Sequence, residues 1–316
     1  MKRRLIHKLL YLLLATLAAV NAAYAADEPI TFKFEISPYG LIFTDIEANG
    51  EPMLAMIDIG DQQNLQIAFS TAEALAIPLE KAGFKAGDIN GNQWDVYQGT
   101  LSTLKLGERM FSDVSFSSSR GDIEGVAEQI STDFEAVIGW GFLQDYIVEF
   151  DYRNKFICLY EQPPHGLLPT TTLAYEDQYG PLIIEVMLEG KMQRVMLDTG
   201  ASVSVFDPQL VKFGKHNEVS FTLGGEAITL TGYEQDLAVL ADLEVVGILG
   251  SDLLHLYKVI INPFNHQMHF VEINKKASHE DWLLMVMCKT IYSSRKLRSC
   301  SERLGWRSLR NALASI

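Results

Sequence analysis

The chain has 316 residues, close to half of them apolar, with 40 acidic side chains against 26 basic ones. A net charge of −14 lacks the basic surface that phosphate binding needs, so no nucleic-acid partner is expected. The length leaves room for a leader and two domains of ordinary size.

Residues 1–25 read as a secretory signal peptide. Lys2, Arg3, Arg4 and Lys8 form the charged start, Leu9 to Val20 the apolar stretch, and Ala23-Tyr24-Ala25 a small-residue cleavage site before Ala26. The apolar stretch is short for a membrane span, which needs about 20 residues; an uncleaved anchor is the alternative. No later apolar run is long enough to span, so the expectation is a periplasmic or secreted protein with no stable span after cleavage. Losing the leader removes four basic residues and leaves 22 basic against 40 acidic.

In chain order, Ile30 to Ile46 alternates as a strand, Asn49-Gly50 is a hairpin turn, and Met53 to Ile57 returns to a turn at Asp58. Thr71 to Ile77 reads as a short helix closed by Pro78. Gly87 to Asn92 reads as a loop, and Trp94 to Tyr97 and Thr100 to Leu106 as strands. Gly121 to Phe134 is polar and acidic, a surface loop or one helical turn. Phe142 to Tyr146 begins a short helix, and Val148 to Leu159 is a hairpin turning at Arg153-Asn154. Pro163-Pro164-His165-Gly166 is the clearest boundary, dividing residues 26–165 from 166–273. Residues 166–273 then repeat the order, which gives an all-β architecture with short helices.

The repeat is visible in spacing. Tyr39-Gly40 begins 19 residues before Asp58, and Tyr179-Gly180 begins 19 before Asp198. Met56-Ile57-Asp58-Ile59-Gly60 answers Met196-Leu197-Asp198-Thr199-Gly200. Downstream, Val137-Ile138-Gly139 answers Ile248-Leu249-Gly250. Val148-Glu149-Phe150-Asp151 answers Val259-Ile260-Ile261-Asn262. The offset is 140 residues early and 111 late, so the first copy carries about 29 extra residues in its middle. A period this long implies two related lobes rather than a solenoid.

This ordered set resembles the aspartic proteinase superfamily, specifically its retropepsin-like bacterial members. The resemblance covers roughly residues 30–272. It is closest at Asp198-Thr199-Gly200-Ala201 and looser at Asp58-Ile59-Gly60-Asp61. It implies two tandem retropepsin-like β-barrel lobes, Asp58 and Asp198 as the catalytic dyad, and Thr199, Gly200, Gly60 and Ala201 as loop support. It also implies a flap in the first lobe around Trp94 and Tyr97, which would grip an extended peptide. The second lobe has 23 residues between Gly200 and Leu223 where the first has 46 between Gly60 and Leu106, so a single flap is expected. The alternative is that Trp94 and Tyr97 are strand aromatics packed in a core.

Two adjacent carboxylates suit hydrolysis without metal, cofactor or covalent intermediate, because they cannot both ionise and so share one proton. Glycine after each Asp is expected to permit unusual backbone angles, and the Thr199 hydroxyl to bond across to the other lobe. Ile59 cannot return that bond, and an inward Asp61 should raise the pair's pKa values. Those two departures keep open a catalytically degenerate peptide-binding protein on the same fold. A monomer is favoured, while a homodimer using Asp198 from each chain remains the third reading. Peptide or protein is the expected partner.

Residues 274–316 hold nine basic and three acidic residues and lie outside the resemblance. They read as one or two basic amphipathic helices docked on the acidic body, as a disordered tail, or as a membrane-surface contact. Cys158 falls on a strand, and an oxidising compartment would permit a Cys288–Cys300 bridge. No Cys/His spacing resembles a zinc site, and His266 to His269 reads as a closing strand.

Overall fold

Asn49-Gly50 and Glu189-Gly190 set the two halves of this chain in motion. Both turns have positive φ at both residues, 53° and 87° in the first and 51° and 78° in the second. That is the two-residue hairpin geometry that matches strand twist. The first turn joins strand Ile42–Ala48 to Glu51–Asp58, and the second joins Ile183–Leu188 to Lys191–Leu197. Each hairpin delivers an aspartate at its end. The computed structural model describes residues 28–87, 93–164, 166, 169, 171–178, 180–208 and 218–272. The expected leader, the tip of the expected flap, Tyr179, the basic residues 274–316 and the expected Cys288–Cys300 bridge lie outside them, in whole or in part.

The fold is all-β, with two barrel-like sheets and a few short helices. The first lobe holds an eight-stranded sheet in the order Glu35–Ile36, Ile42–Ala48, Glu51–Asp58, Ala136–Gly139, Leu65–Ile67, Arg109–Ser119, Gln93–Leu106, Glu80–Gly87. Pairing of Ile46 with Leu106 and Ala48 with Leu104 closes it. The second lobe holds seven strands, ordered Glu226–Thr231, Glu218–Leu223, Ile183–Leu188, Lys191–Leu197, Val245–Leu249, Val205–Phe206, Tyr233–Glu234.

A third sheet of six strands joins the lobes, with three strands from each side of the Pro163-Pro164 stretch. Its central pair sets Val148 opposite Ile261 and Phe150 opposite Val259. Lys258 reaches across this seam to Glu149 at 2.6 Å and Asp151 at 3.0 Å. Its apolar face merges with both barrels in one buried cluster running from Phe32 to Phe270. Burying that much apolar surface is what holds two lobes as one body.

Three local expectations change. The stretch expected as a loop or single turn carries a helix, Asp122–Ile130. Ile123, Val126, Ala127 and Ile130 fall at helical spacing and pack against Leu41, Phe43 and Phe134, and the interleaved acidic residues hid that stripe. The first short helix covers Phe69–Ala74, starting and ending earlier than Thr71 to Ile77. The Trp94 to Leu106 region is one 14-residue strand rather than two. The hairpin around Arg153-Asn154 and the closing strand at Gln267–Glu272 match the sequence reading. Cys158 lies on strand Phe156–Tyr160, where the Thr31 hydroxyl approaches its Sγ at 3.5 Å. Among the described residues no helix is long and apolar enough to cross a membrane.

Candidate active site

Each aspartate emerges from the middle of its barrel sheet. Strand Glu51–Asp58 runs parallel to Ala136–Gly139, with Asp58 opposite Gly139. Strand Lys191–Leu197 runs parallel to Val245–Leu249, and the Asp198 N–H donates to the Leu249 carbonyl at 3.1 Å. In both halves the residues flanking the aspartate, Ile57 and Ile59 or Leu197 and Thr199, are buried, which leaves the aspartate half-buried between them. The apolar pairs before Gly139 and Gly250 thus sit beside the aspartate strands, as their repeat predicts.

The two carboxylates meet. Asp58 and Asp198 are hydrogen-bonded to each other across the lobes. Asp58 Oδ1 also accepts from the Gly60 N–H at 2.8 Å and the Asp61 N–H at 3.2 Å. Asp198 Oδ1 accepts from the Gly200 N–H at 2.6 Å. Burial pushes the Asp58 carboxyl well above its ordinary range, and the charge and hydrogen bond of Asp198 push it further. Burial also raises Asp198, while bonds from Asp58, Gly200 and Ala201 pull it back. Such a pair titrates as a unit that holds one proton between two oxygens.

The glycines serve space rather than angle, which corrects the expectation from sequence. Neither Gly60 nor Gly200 has positive φ. A Cβ on Gly60 would lie 2.5 Å from Cγ of Asp198, and one on Gly200 would lie 2.6 Å from Cγ of Asp58. Each loop therefore makes room for the carboxylate of the other lobe.

Thr199 is fully buried and bridges the lobes as expected. Its hydroxyl donates to the Ile57 carbonyl at 2.8 Å and accepts from the Ile59 N–H at 3.0 Å. Ile59 has no hydroxyl to return the bond; its side chain is buried in the main apolar cluster instead. Ala201 closes the second loop, its carbonyl accepting from the Ser251 N–H at 2.9 Å.

Asp61 turns into its own loop. It accepts from the Gln63 N–H at 3.1 Å and from Gln66 Nε2 at 2.7 Å. Burial, then the nearby Asp58 charge, raises its carboxyl to about 6. Its own charge in turn raises Asp198. It is the third carboxylate of the site, one bond network away from the dyad.

One functional support escaped the sequence reading. Ser204 donates to Asp252 at 2.7 Å and accepts from the Gly250 N–H at 3.1 Å, tying the second-lobe loop to the turn beneath it. Asp252 is fully buried, and burial lifts its carboxyl to about 6. At the matching place in the first lobe, Asn64 sits beside Gly141, where a Cβ would come within 2.6 Å of the amide oxygen. The larger polar side chain lies on opposite members of the pair in the two halves. Aligning Asn64 with Ser204 and Gly141 with Asp252 in the repeat would have exposed this exchange.

Trp94 and Tyr97 lie on the long hairpin, opposite Ala86 and Lys81. The Tyr97 ring packs edge-on against Phe69 with centroids 5.1 Å apart, so it is held by the first helix of its own lobe. The hairpin tip, residues 88–92, and residues 209–217 of the second lobe lie outside the described set.

Two hydrogen-bonded carboxylates with raised pKa values define a site able to donate and accept a proton at the same centre. Compared with known proteins, the chain matches no family model and no curated protein.

Proposed function

We propose that the protein is an exported aspartic-type endopeptidase that hydrolyses peptide bonds with the Asp58/Asp198 dyad. The observation that carries this reading is the reciprocal fit of each carboxylate against the glycine of the other lobe.

In the reaction, the singly protonated pair faces a water molecule and the scissile carbonyl. The ionised oxygen takes a proton from the water as its oxygen bonds to the carbonyl carbon. The carboxyl proton passes to the carbonyl oxygen, giving a neutral gem-diol. A proton then moves from the gem-diol to the dyad and from the dyad to the amide nitrogen. The carbon–nitrogen bond breaks and releases an acid and an amine. Pairing within one chain supports a monomeric enzyme over a dimer built from two Asp198 residues.

The test is cleavage of a diverse peptide mixture from about pH 3 to 8, a range bracketing carboxylate dyads, read by mass spectrometry with and without a statine-type inhibitor. Discrete cuts suppressed by the inhibitor and indifferent to chelators support the reading. The missing hydroxyl at Ile59 favours the second reading, a peptide-binding protein without turnover. Saturable peptide binding with no cuts at any pH would favour that second reading.

A further inference from the structure

A pocket of about 740 Å³ opens beside the dyad loop in the first lobe, within the ~300–1,000 Å³ usual for ligand sites. One wall is Gln63 and Asn64. These residues belong to the loop leaving Asp58, and the Asn64 carbonyl accepts from the N–H of Gly139, the residue paired with Asp58 in the sheet. The other wall is the outer strand of the flap hairpin, Glu80–Gly87, which carries Glu80 and Phe84 into the lining.

A backbone irregularity produces that wall. Lys81 pairs with Tyr97, but the next pair is Lys85 with Asp95, so Ala82, Gly83 and Phe84 on one strand answer Val96 alone on the other. Gly83, at φ 83°, takes up the excess. Bulges re-aim side chains, and here Phe84 stands 53% exposed at the pocket. The same register turns Lys81 away, onto Asp95 at 2.8 Å. Glu80 is left as the one charged residue in the lining among the described residues, and it forms no ion pair with another described residue. The remaining lining is apolar, such as Pro78 and Phe116, or neutral amide and hydroxyl, such as Gln98 and Thr100.

An aromatic face beside one carboxylate that has no ion pair among the described residues, with several neutral acceptors, suits a cation on an aliphatic stem. We propose that this pocket is a specificity subsite for a lysine or arginine side chain of an extended peptide. The stem lies along Phe84, and the charged head is held by Glu80 and the amide oxygens of Gln63, Asn64 or Gln98. The proposal rests on the endopeptidase reading for its cleavage consequences, but peptide binding tests it separately.

The experiment is cleavage-site profiling of a proteome-derived peptide library by wild type, Glu80→Gln, Glu80→Lys and Phe84→Ala. Circular dichroism confirms that each variant is folded. The expected result is enrichment of Lys and Arg at one fixed distance from the scissile bond. Glu80→Gln should cut kcat/KM for such peptides about three- to tenfold, the worth of one partly exposed charged contact. Glu80→Lys should shift the preference toward Asp and Glu. Discrete cuts without a basic preference, or with one that Glu80→Gln leaves intact, overturn the subsite and leave the dyad reading standing. If no cuts appear, fluorescence anisotropy of a labelled Lys-containing peptide and its Gln counterpart decides. Tighter binding of the Lys peptide that Glu80→Gln abolishes supports the subsite while the hydrolytic reading fails. Equal binding of both peptides, or none, overturns it.

Discussion

Thr199 of the second lobe holds the backbone on both sides of Asp58 of the first, and Ile59 gives nothing back. The hydroxyl satisfies the Ile57 carbonyl and the Ile59 N–H, two groups buried where water cannot replace it. The lock between the aspartate loops is therefore made from one side.

Thr199→Val keeps the shape of the side chain and removes both bonds. Leaving a buried donor and a buried acceptor unmade should cost about 2–4 kcal/mol. Thr199→Ser, which keeps the hydroxyl, should lose under about 1 kcal/mol. Urea unfolding of the two variants checks this. Equal losses would show that packing, rather than hydrogen bonding, is what Thr199 contributes.

Gly60→Ala and Gly200→Ala each place a methyl group where the opposite carboxylate sits. Asp198, displaced in Gly60→Ala, must leave the Gly200 amide, and Asp58, displaced in Gly200→Ala, must leave the Gly60 and Asp61 amides, so turnover should fall about a hundredfold or more, as for other ångström-scale misplacements. Gly50→Ala is the control, because a Cβ there meets nothing within 4 Å, and its strained φ should affect stability alone. Steady-state kinetics distinguish the outcomes. Unchanged turnover in either dyad-loop variant would contradict the reciprocal fit.

The repeat made much of this legible. Strict spacing from Gly40 to Asp58 and from Gly180 to Asp198 identified both aspartates, because a two-residue hairpin fixes how far the strand runs before its turn. The all-β, two-lobed fold followed from the same alternation. The function of the glycines was not legible, since the atoms they accommodate are 138 residues away in the chain, Gly60 against Asp198. The helix Asp122–Ile130 was masked by acidic residues on its outer face. The bulge at Gly83 has only the glycine itself as a local mark, and its size exists as a register difference between two strands.

On the proposed mechanism, Asp61 should set the basic limb of the pH profile. The proposed hydrolysis needs one proton on the dyad, so its rate should fall as pH rises through the pair's upper pKa. Above about 6, where Asp61 itself ionises, its charge holds that proton on the pair to higher pH. Asp61→Ala, which copies Ala201 of the other lobe, should move the basic limb of kcat/KM to lower pH. A limb that stays in place or moves upward would show that Asp61 is electrically silent.

Asp252 should make the fold more stable in mild acid than at neutrality. Its folded pKa, about 6, lies above the ~3.9 of an unfolded Asp. The contribution is therefore complete below about pH 4 and is lost as pH rises through about 6. The loss by pH 7 is on the order of 1–3 kcal/mol. Asp252→Asn keeps an acceptor for Ser204 and the Leu253 N–H and removes the titration. Thermal melts of both proteins at pH 5 and 7.5 should show a difference that the variant flattens. A variant with the wild-type pH slope would assign that slope to other groups.

The most direct test of the account is peptide cleavage by wild type, Asp58→Asn, Asp198→Asn and an equimolar mixture of the two variants. A dyad within one chain predicts discrete cuts for wild type, loss of at least about a thousandfold in each variant, as expected for an essential catalytic group, and no recovery on mixing. Persistent cleavage by Asp58→Asn, or recovery in the mixture, would contradict it.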